Sequence, residues 1–366
     1  TTRGIVFSYI PYNPFNPPYY EGTPVPYDSV KWTSINTNLV NISSPIPSII
    51  ANSNDVYKIR ISFVGTGGTS RMIADDYVIP GTYWSDPSNN CIPLPTIQDA
   101  DEDGVADNED AFPNDPKRAF RTFFPIENTY STLAFEDLWP SKGDFDFNDV
   151  VVDYNIEVVT NSYNMVVEAF YKFKVRAIGA SYHNGFGFEL RNIPPFFVKS
   201  VTGAVLKPGS IYSIEPNGTE SNQDNATIIA IGDVFDVLPY VGVGVTGVNT
   251  TPGAPYSTPQ TITVRVVFDD NLKVVGGVHI SQMGSDVFNP FIIVNQDRVK
   301  EVHLPDFPPT TLASNSTLFG TLDDTSNPGA DRYYRTSNNL PWAINTYSTF
   351  KYPIEKTEIT KAYLKL

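Results

Sequence analysis

Met165-Val166-Val167-Glu168-Ala169-Phe170-Tyr171-Lys172-Phe173-Lys174-Val175-Arg176-Ala177 decides the fold class. Val167, Ala169, Tyr171, Phe173 and Val175 fall on one side of an extended chain, and Glu168, Lys172, Lys174 and Arg176 fall on the other. A period of two marks a strand with one buried face, because successive side chains point to opposite sides. Thr261–Phe268 repeats the pattern with Ile262, Val264, Val266 and Phe268 inward, and Val56–Val64 repeats it with Tyr57, Ile59, Ile61 and Phe63. Gly, Pro and Asn clusters bound these runs, as in antiparallel sandwiches. Helical periodicity is almost absent. Residues 357–366 alternate as well and read as a terminal strand.

Composition points the same way. Aromatic residues make up 13% of the chain, which suits strands, where rings pack on a pleated surface. The 31 prolines punctuate loops and are excluded from helix interiors. A net charge of −15 repels phosphate backbones, which argues against a nucleic-acid partner. No run of about eighteen apolar residues offers a transmembrane segment. Residues 1–4 do not read as a signal peptide, so in an exported protein the signal would already have been removed.

The expected architecture is all-β, with two β-sandwich, jelly-roll-like units joined by a calcium-binding loop. Residues 1–95 form the small N-terminal unit, 96–120 the acidic linker and 121–366 the larger C-terminal unit. Tyr9, Tyr12, Tyr19, Tyr20 and Tyr27 either stack on sugars or pack over a sheet edge. Asp75 and Asp76 stand ahead of 77–81 in the manner of a carbohydrate-binding jelly roll.

The linker carries Asp99-Ala100-Asp101-Glu102-Asp103-Gly104-Val105-Ala106-Asp107-Asn108-Glu109-Asp110. Calcium takes about six to eight oxygen ligands, and a loop can supply them from its positions 1, 3, 5, 7, 9 and 12. Those positions are Asp99, Asp101, Asp103, the Val105 carbonyl, Asp107 and Asp110, with Gly104 at the sharp turn. Asp110 is shorter than the usual bidentate Glu, so the loop either folds more tightly or uses another ligand, for which Asp115 is the candidate. Pro93, Pro95, Pro113 and Pro116 exclude flanking helices, so the pattern resembles a thrombospondin type 3 repeat. The alternative is a solvated acidic linker. Without a cation, five crowded aspartates would repel and leave the loop disordered.

A second acidic cluster follows. Glu136 and Asp137 precede Gly143-Asp144-Phe145-Asp146-Phe147-Asn148-Asp149. In an extended segment Asp144, Asp146 and Asn148 would share one face and the two Phe the other. Such a face makes either a second calcium cage or a polar turn with side-chain capping bonds.

Residues 112–120 and 132–154 resemble the LruC-domain family, whose domain is also described as DUF4842. Further stretches match in order at 183–188, 288–291, 301–309, 318–327 and 339–343, so the likeness spans about residues 98–366. Phe145 departs from the family, where tyrosine is common, and relatives often continue past the present C-terminus. The resemblance implies an exported protein of the bacterial cell envelope, on the outer-membrane surface or secreted, and often a lipoprotein. It also implies that the 99–110 loop binds calcium.

Catalysis is not indicated. His183, His279 and His303 lack metal-ligand spacing, Cys91 stands alone, and no phosphate-binding loop is present. His183 reads as a structural loop residue. Asp323 and Asp324 are either a third cation contact or a solvated pair, and the sequons at Asn41, Asn217, Asn225, Asn249 and Asn315 read as bare surface loops. The expected function is a calcium-binding structural or adhesin-like surface module and not an enzyme. Its partners are calcium and either a glycan or another surface protein. A carbohydrate-binding module is the alternative, followed by a glycan-active hydrolase.

Overall fold

A computed structural model describes the strand backbones within residues 1–97, and residues 98–363 apart from 180, 243–246, 270–276 and 285. The chain divides into two compact units, Thr1–Thr96 and Ile97–Leu366. The first contains β1 (Arg3–Ile10), β2 (Val25–Trp32), β3 (Val56–Val64) and β4 (Ser70–Pro80), an antiparallel sheet in the order β2-β1-β3-β4. Asp75 and Asp76 lie inside β4 and not ahead of a strand. Tyr12, Tyr19, Tyr20, Asn41 and Cys91 fall outside the described residues.

The second unit is all-β, as the alternation predicts. One sheet holds β5 (Phe120–Phe124), β6 (Ser131–Phe135), β7 (Val150–Thr160), β8 (Val166–Ala177), β10 (Val198–Thr202), β12 (Thr261–Phe268) and β15 (Ala343–Thr346), in the order β10-β12-β8-β7-β6-β15. β5 and β6 share one edge of β7, with β6 against Val150–Tyr154 and β5 against Ile156–Thr160. The other sheet holds β9 (Gly185–Leu190), β11 (Ala226–Ile231), β13 (Phe288–Ile293) and β14 (Glu301–His303), in the order β11-β9-β13-β14. Every pairing between these strands is antiparallel.

The sheets close face to face over aromatic side chains. Tyr171 of β8 stands 4.3 Å from Phe188 of β9 and Phe173 stands 4.9 Å from Phe186, centroid to centroid. Burying each such ring is worth about 1.5–3 kcal/mol over leaving it in water. Ala169, Tyr171, Phe173 and Val175 lie on the buried face as expected, whereas Val167 is only half-buried. The pairing with β7 steps from Val159↔Glu168 to Thr160↔Val166, so Val167 is bulged out of register. Glu168 is buried on the outer face, where Arg118 meets it at 2.9 Å and Arg265 at 2.5 Å.

The outer face of the smaller sheet carries a buried polar network. Arg298 pairs with Glu220 and, at 2.5 Å, with Glu301. Glu301 also meets His303 at 2.9 Å and accepts the Thr310 N–H at 2.9 Å. Against its burial, His303, Arg298 and Thr310 hold the Glu301 carboxyl down to about 2.

The predicted terminal strand is absent. Ile359–Ala362 forms a short helix, α1, and residues 364–366 fall outside the described ones. β15 already occupies the sheet edge beside β6, and Ile359 instead packs into a small core with Phe145, Phe147 and Phe350. At two of the sequons the asparagine is half-buried and its amide donates to backbone carbonyls, Asn217 to Pro195 and Val198 and Asn249 to Arg176 and Ser257. Among the described residues no helix is long and apolar enough to cross a membrane.

Candidate metal centre

The 99–110 loop belongs to the second unit and leads into β5. Its aspartates fold it locally, because a short carboxylate reaches nearby backbone amides. Asp99 Oδ2 accepts the Gly104 N–H at 3.0 Å and Asp101 Oδ1 accepts that of Asp103 at 3.3 Å. Asp103 Oδ1 accepts the Val105 N–H at 2.8 Å and Asp110 Oδ1 accepts that of Phe112 at 2.6 Å. Asp107 closes the loop, receiving the Ala100 N–H and donating its own to the Gln98 carbonyl, both at 2.8 Å. Gly104 supplies the turn at φ +97°, where a side chain would be strained.

Each of four carboxylates thus has one oxygen fixed and one left over. Asp99 Oδ1, Asp101 Oδ2, Asp103 Oδ2 and Asp110 Oδ2 are buried and have no hydrogen-bond partner among the described residues. Carboxylate oxygens of Asp99, Asp101 and Asp103 lie within 4.8 Å of one another. Calcium–oxygen distances of about 2.3–2.6 Å put opposite ligands about 4.6–5.2 Å apart, so this spacing and an all-oxygen donor set fit calcium. Asp110 is only 8% exposed. Burial, and then the charges of Asp103, Asp110 and Asp99, push the Asp101 carboxyl above its usual range. Asp115 is not left free, since its oxygens accept the Lys117 N–H and the Arg118 guanidinium. Val105 enters the loop through its amide, and no oxygen of Asp107 belongs to the group of three.

The second cluster is built differently from the extended segment expected. Phe145 and Phe147 both adopt φ +52°, the left-handed region that bulky side chains avoid. Two compensations hold them there. Their rings are buried in the small core beside Ala134 and Val151, and their N–H groups both donate to Glu136, at 3.2 and 2.6 Å. Asp146 accepts the Asn148 N–H at 3.1 Å and the Lys356 N–H at 2.8 Å. Asn148 donates to the Pro353 carbonyl at 3.2 Å, while its Oδ1 is buried with no partner among the described residues. Asp149 accepts the Asp137 N–H at 2.9 Å, and Asp137 accepts the Asn184 amide at 2.8 Å.

Oxygens of Glu136, Asp144 and Asp146 come within 4.8 Å of one another. An open depression beside them is lined by Asp137, Asp144, Asp149 and Glu355. Burial first, and then mutual repulsion, raise Glu136, Asp149 and Asp146, the last to about 6. The same causes raise Asp137, against the Asn184 hydrogen bond, and lift Glu355 to about 7. So many carboxylates in one buried place ask for a cation or for protons. The cluster therefore combines the two alternatives read from its residues, with capping bonds and convergent acidic oxygens in one turn.

Sequence reasoning missed Glu355 and Asn184. Neither has a local signal, because both reach the cluster through tertiary contact. Asp323 and Asp324 bring no spare function to it. Asp323 accepts the Lys142 N–H at 2.9 Å, and buried Asp324 accepts from Gly320 at 2.9 Å and from the Ser326 hydroxyl at 2.7 Å. His183 is exposed and stands 2.6 Å from Asp233.

Comparison with known proteins gives one family and one distant likeness. No curated protein matches the chain. A solved structure of a candidate lipoprotein from Bacteroides ovatus is similar at 16% identity, covering 84% of this chain and 83% of that one, with a TM-score of 0.46. The model of a domain of unknown function, DUF4842, matches residues 164–366, from the start of β8 through β15 and the segment that covers Asp146. On that match, over more than half its length, the chain belongs to the DUF4842 family.

Proposed function

We propose that this chain is a calcium-stabilised, non-catalytic module of a bacterial cell envelope, with a structural or adhesin-like role. The observation that carries the reading is the set of four buried oxygens on Asp99, Asp101, Asp103 and Asp110 that have no partner among the described residues, each twinned with an oxygen fixed by a backbone N–H. A buried anionic oxygen with no partner is costly, and four together are tolerable only beside positive charge. Glu136, Asp144 and Asp146, with Asn148, are the second group suited to hold an ion. When bound, calcium supplies the charge that lets these carboxylates stay close. The residues do the rest, since the fixed oxygens hold the loop in shape where the chain enters β5. The envelope location rests on the likeness of residues 112–120 and 132–154 to LruC-domain proteins.

The test is calorimetric titration of chelator-stripped protein with calcium, alongside limited proteolysis of residues 96–120. Calcium uptake and protection of that stretch are expected. Equal cutting with and without calcium, together with no heat of binding, would sink the reading. For the adhesive role, calcium-loaded protein is applied to a glycan array, where sugar binding would turn the reading toward a carbohydrate-binding module.

A further inference from the structure

The two sheets of the second unit part near β5 and the start of β13, leaving a cavity of ≈ 320 Å³. Ile156 and Val158 of β7 wall it on one side and Leu190 of β9 and Phe288 of β13 on the other, with Met283 and Leu304 from the loops between. It reaches the surface beside Tyr347, which is 86% exposed. Protein interiors rarely keep a gap much larger than a water molecule, so one of this size between packed sheets is a feature of the fold.

The polar groups of the wall are spent or turned away. The Tyr154 hydroxyl is bound by Asn345 at 3.1 Å and by Ser131. The Tyr171 hydroxyl has essentially no accessible surface. What the interior offers is therefore hydrocarbon, and burial of apolar surface is the force that would hold a ligand there. Among the described residues no Lys, Arg or His lines the cavity, and its one carboxylate, Asp286, is exposed. An anionic group would lose hydration on entering and find no counter-charge. Sheets pack about 10 Å apart, so the gap is a slot one side-chain layer thick, which an unbranched chain can follow. A dry cavity of about 150 Å³ holds the six carbons of benzene, so one roughly twice that size takes about a dozen.

We propose that this slot binds an unbranched hydrocarbon chain of about a dozen carbons whose uncharged polar end stays in water at the mouth. The inference is independent of the calcium reading. The reporter is N-phenyl-1-naphthylamine, an uncharged dye that brightens in apolar surroundings, titrated into calcium-loaded full-length protein and displaced by n-alkanols. Saturable dye binding is expected, with alkanol affinity rising about tenfold for every two added carbons from octanol to dodecanol. The rise should stop at tetradecanol, whose extra carbons find no room. 1-Anilinonaphthalene-8-sulfonate, the same dye with a negative charge, should bind about tenfold more weakly. Leu190→Trp, which fills the slot, should abolish dye binding; should it fail to fold, the chain-length series on the parent protein decides alone. The proposal is overturned by no saturable dye binding, by no displacement with alkanols, by an affinity that climbs undiminished through tetradecanol, by the sulfonate binding as tightly as the neutral dye, or by a folded Leu190→Trp that binds as the parent does.

Discussion

A β-carbon on Gly179 would stand 1.7 Å from Oδ1 of Asn148. The glycine N–H also donates to the Asn148 carbonyl at 2.8 Å, so the backbone is fixed there and cannot retreat. Gly179 therefore holds open the space in which Oδ1 of Asn148 sits, an oxygen with no hydrogen-bond partner among the described residues. Gly179→Ala should push the Asn148 side chain away and cost about 1–3 kcal/mol, as overpacking does. The cost should shrink in an Asn148→Ala background, and a double-mutant cycle in urea measures the difference. Strictly additive losses would show that the contact does not matter.

Asp103→Asn keeps an oxygen for the Val105 N–H but removes a charge from the 99–110 loop. Calcium affinity should fall by about tenfold or more, since ligand charge sets affinity for a hard cation. Asp115→Asn is the control. Its parent carboxylate is spent on Lys117 and Arg118, so calorimetry should find affinity unchanged.

Stability without calcium should fall as pH rises. Asp146 and Glu355 are raised to about 6 and about 7 by burial and then by neighbouring carboxylates. Groups raised on folding contribute fully below their unfolded values, about 4, and lose that contribution as pH climbs through their folded values. Chelated protein should thus weaken between about pH 5 and pH 7, and saturating calcium should flatten the slope. Glu301, held to about 2, stays ionised across this window and adds no slope. Urea midpoints with EDTA and with calcium decide the matter, and a chelated protein that gains stability over that range contradicts it.

Arg298→Met tests the network on the smaller sheet. It strands Glu220 and Glu301, which are 2% and 1% exposed, without their shared cation. Breaking one side of a buried pair costs about 3–5 kcal/mol, so the urea midpoint should drop sharply. Calcium affinity at the 99–110 loop should be unaffected.

How far the residues announce this structure depends on where each element keeps its partners. β8 and β12 are legible because each buries one face and wets the other. β9 and β11 are buried at every position, so the period of two disappears and only an apolar run remains. The 99–110 loop is legible because its free oxygens come from within one short stretch. The bulge at Val167 and the left-handed Phe145 and Phe147 leave no mark in residue type. They follow from pairing with β7 and from the grip of Glu136, which only the assembled chain supplies.

Asn148 meets Pro353 across 205 positions of chain, and Asp146 meets Lys356 across 210. The 99–110 loop needs no such reach. A polypeptide made from its N-terminus outward would have every carboxylate of that loop in hand long before the roof over Asp146 had been synthesised. The two acidic places would then mature in turn, the first as a local fold and the second only once residues 353–356 have come to lie over it.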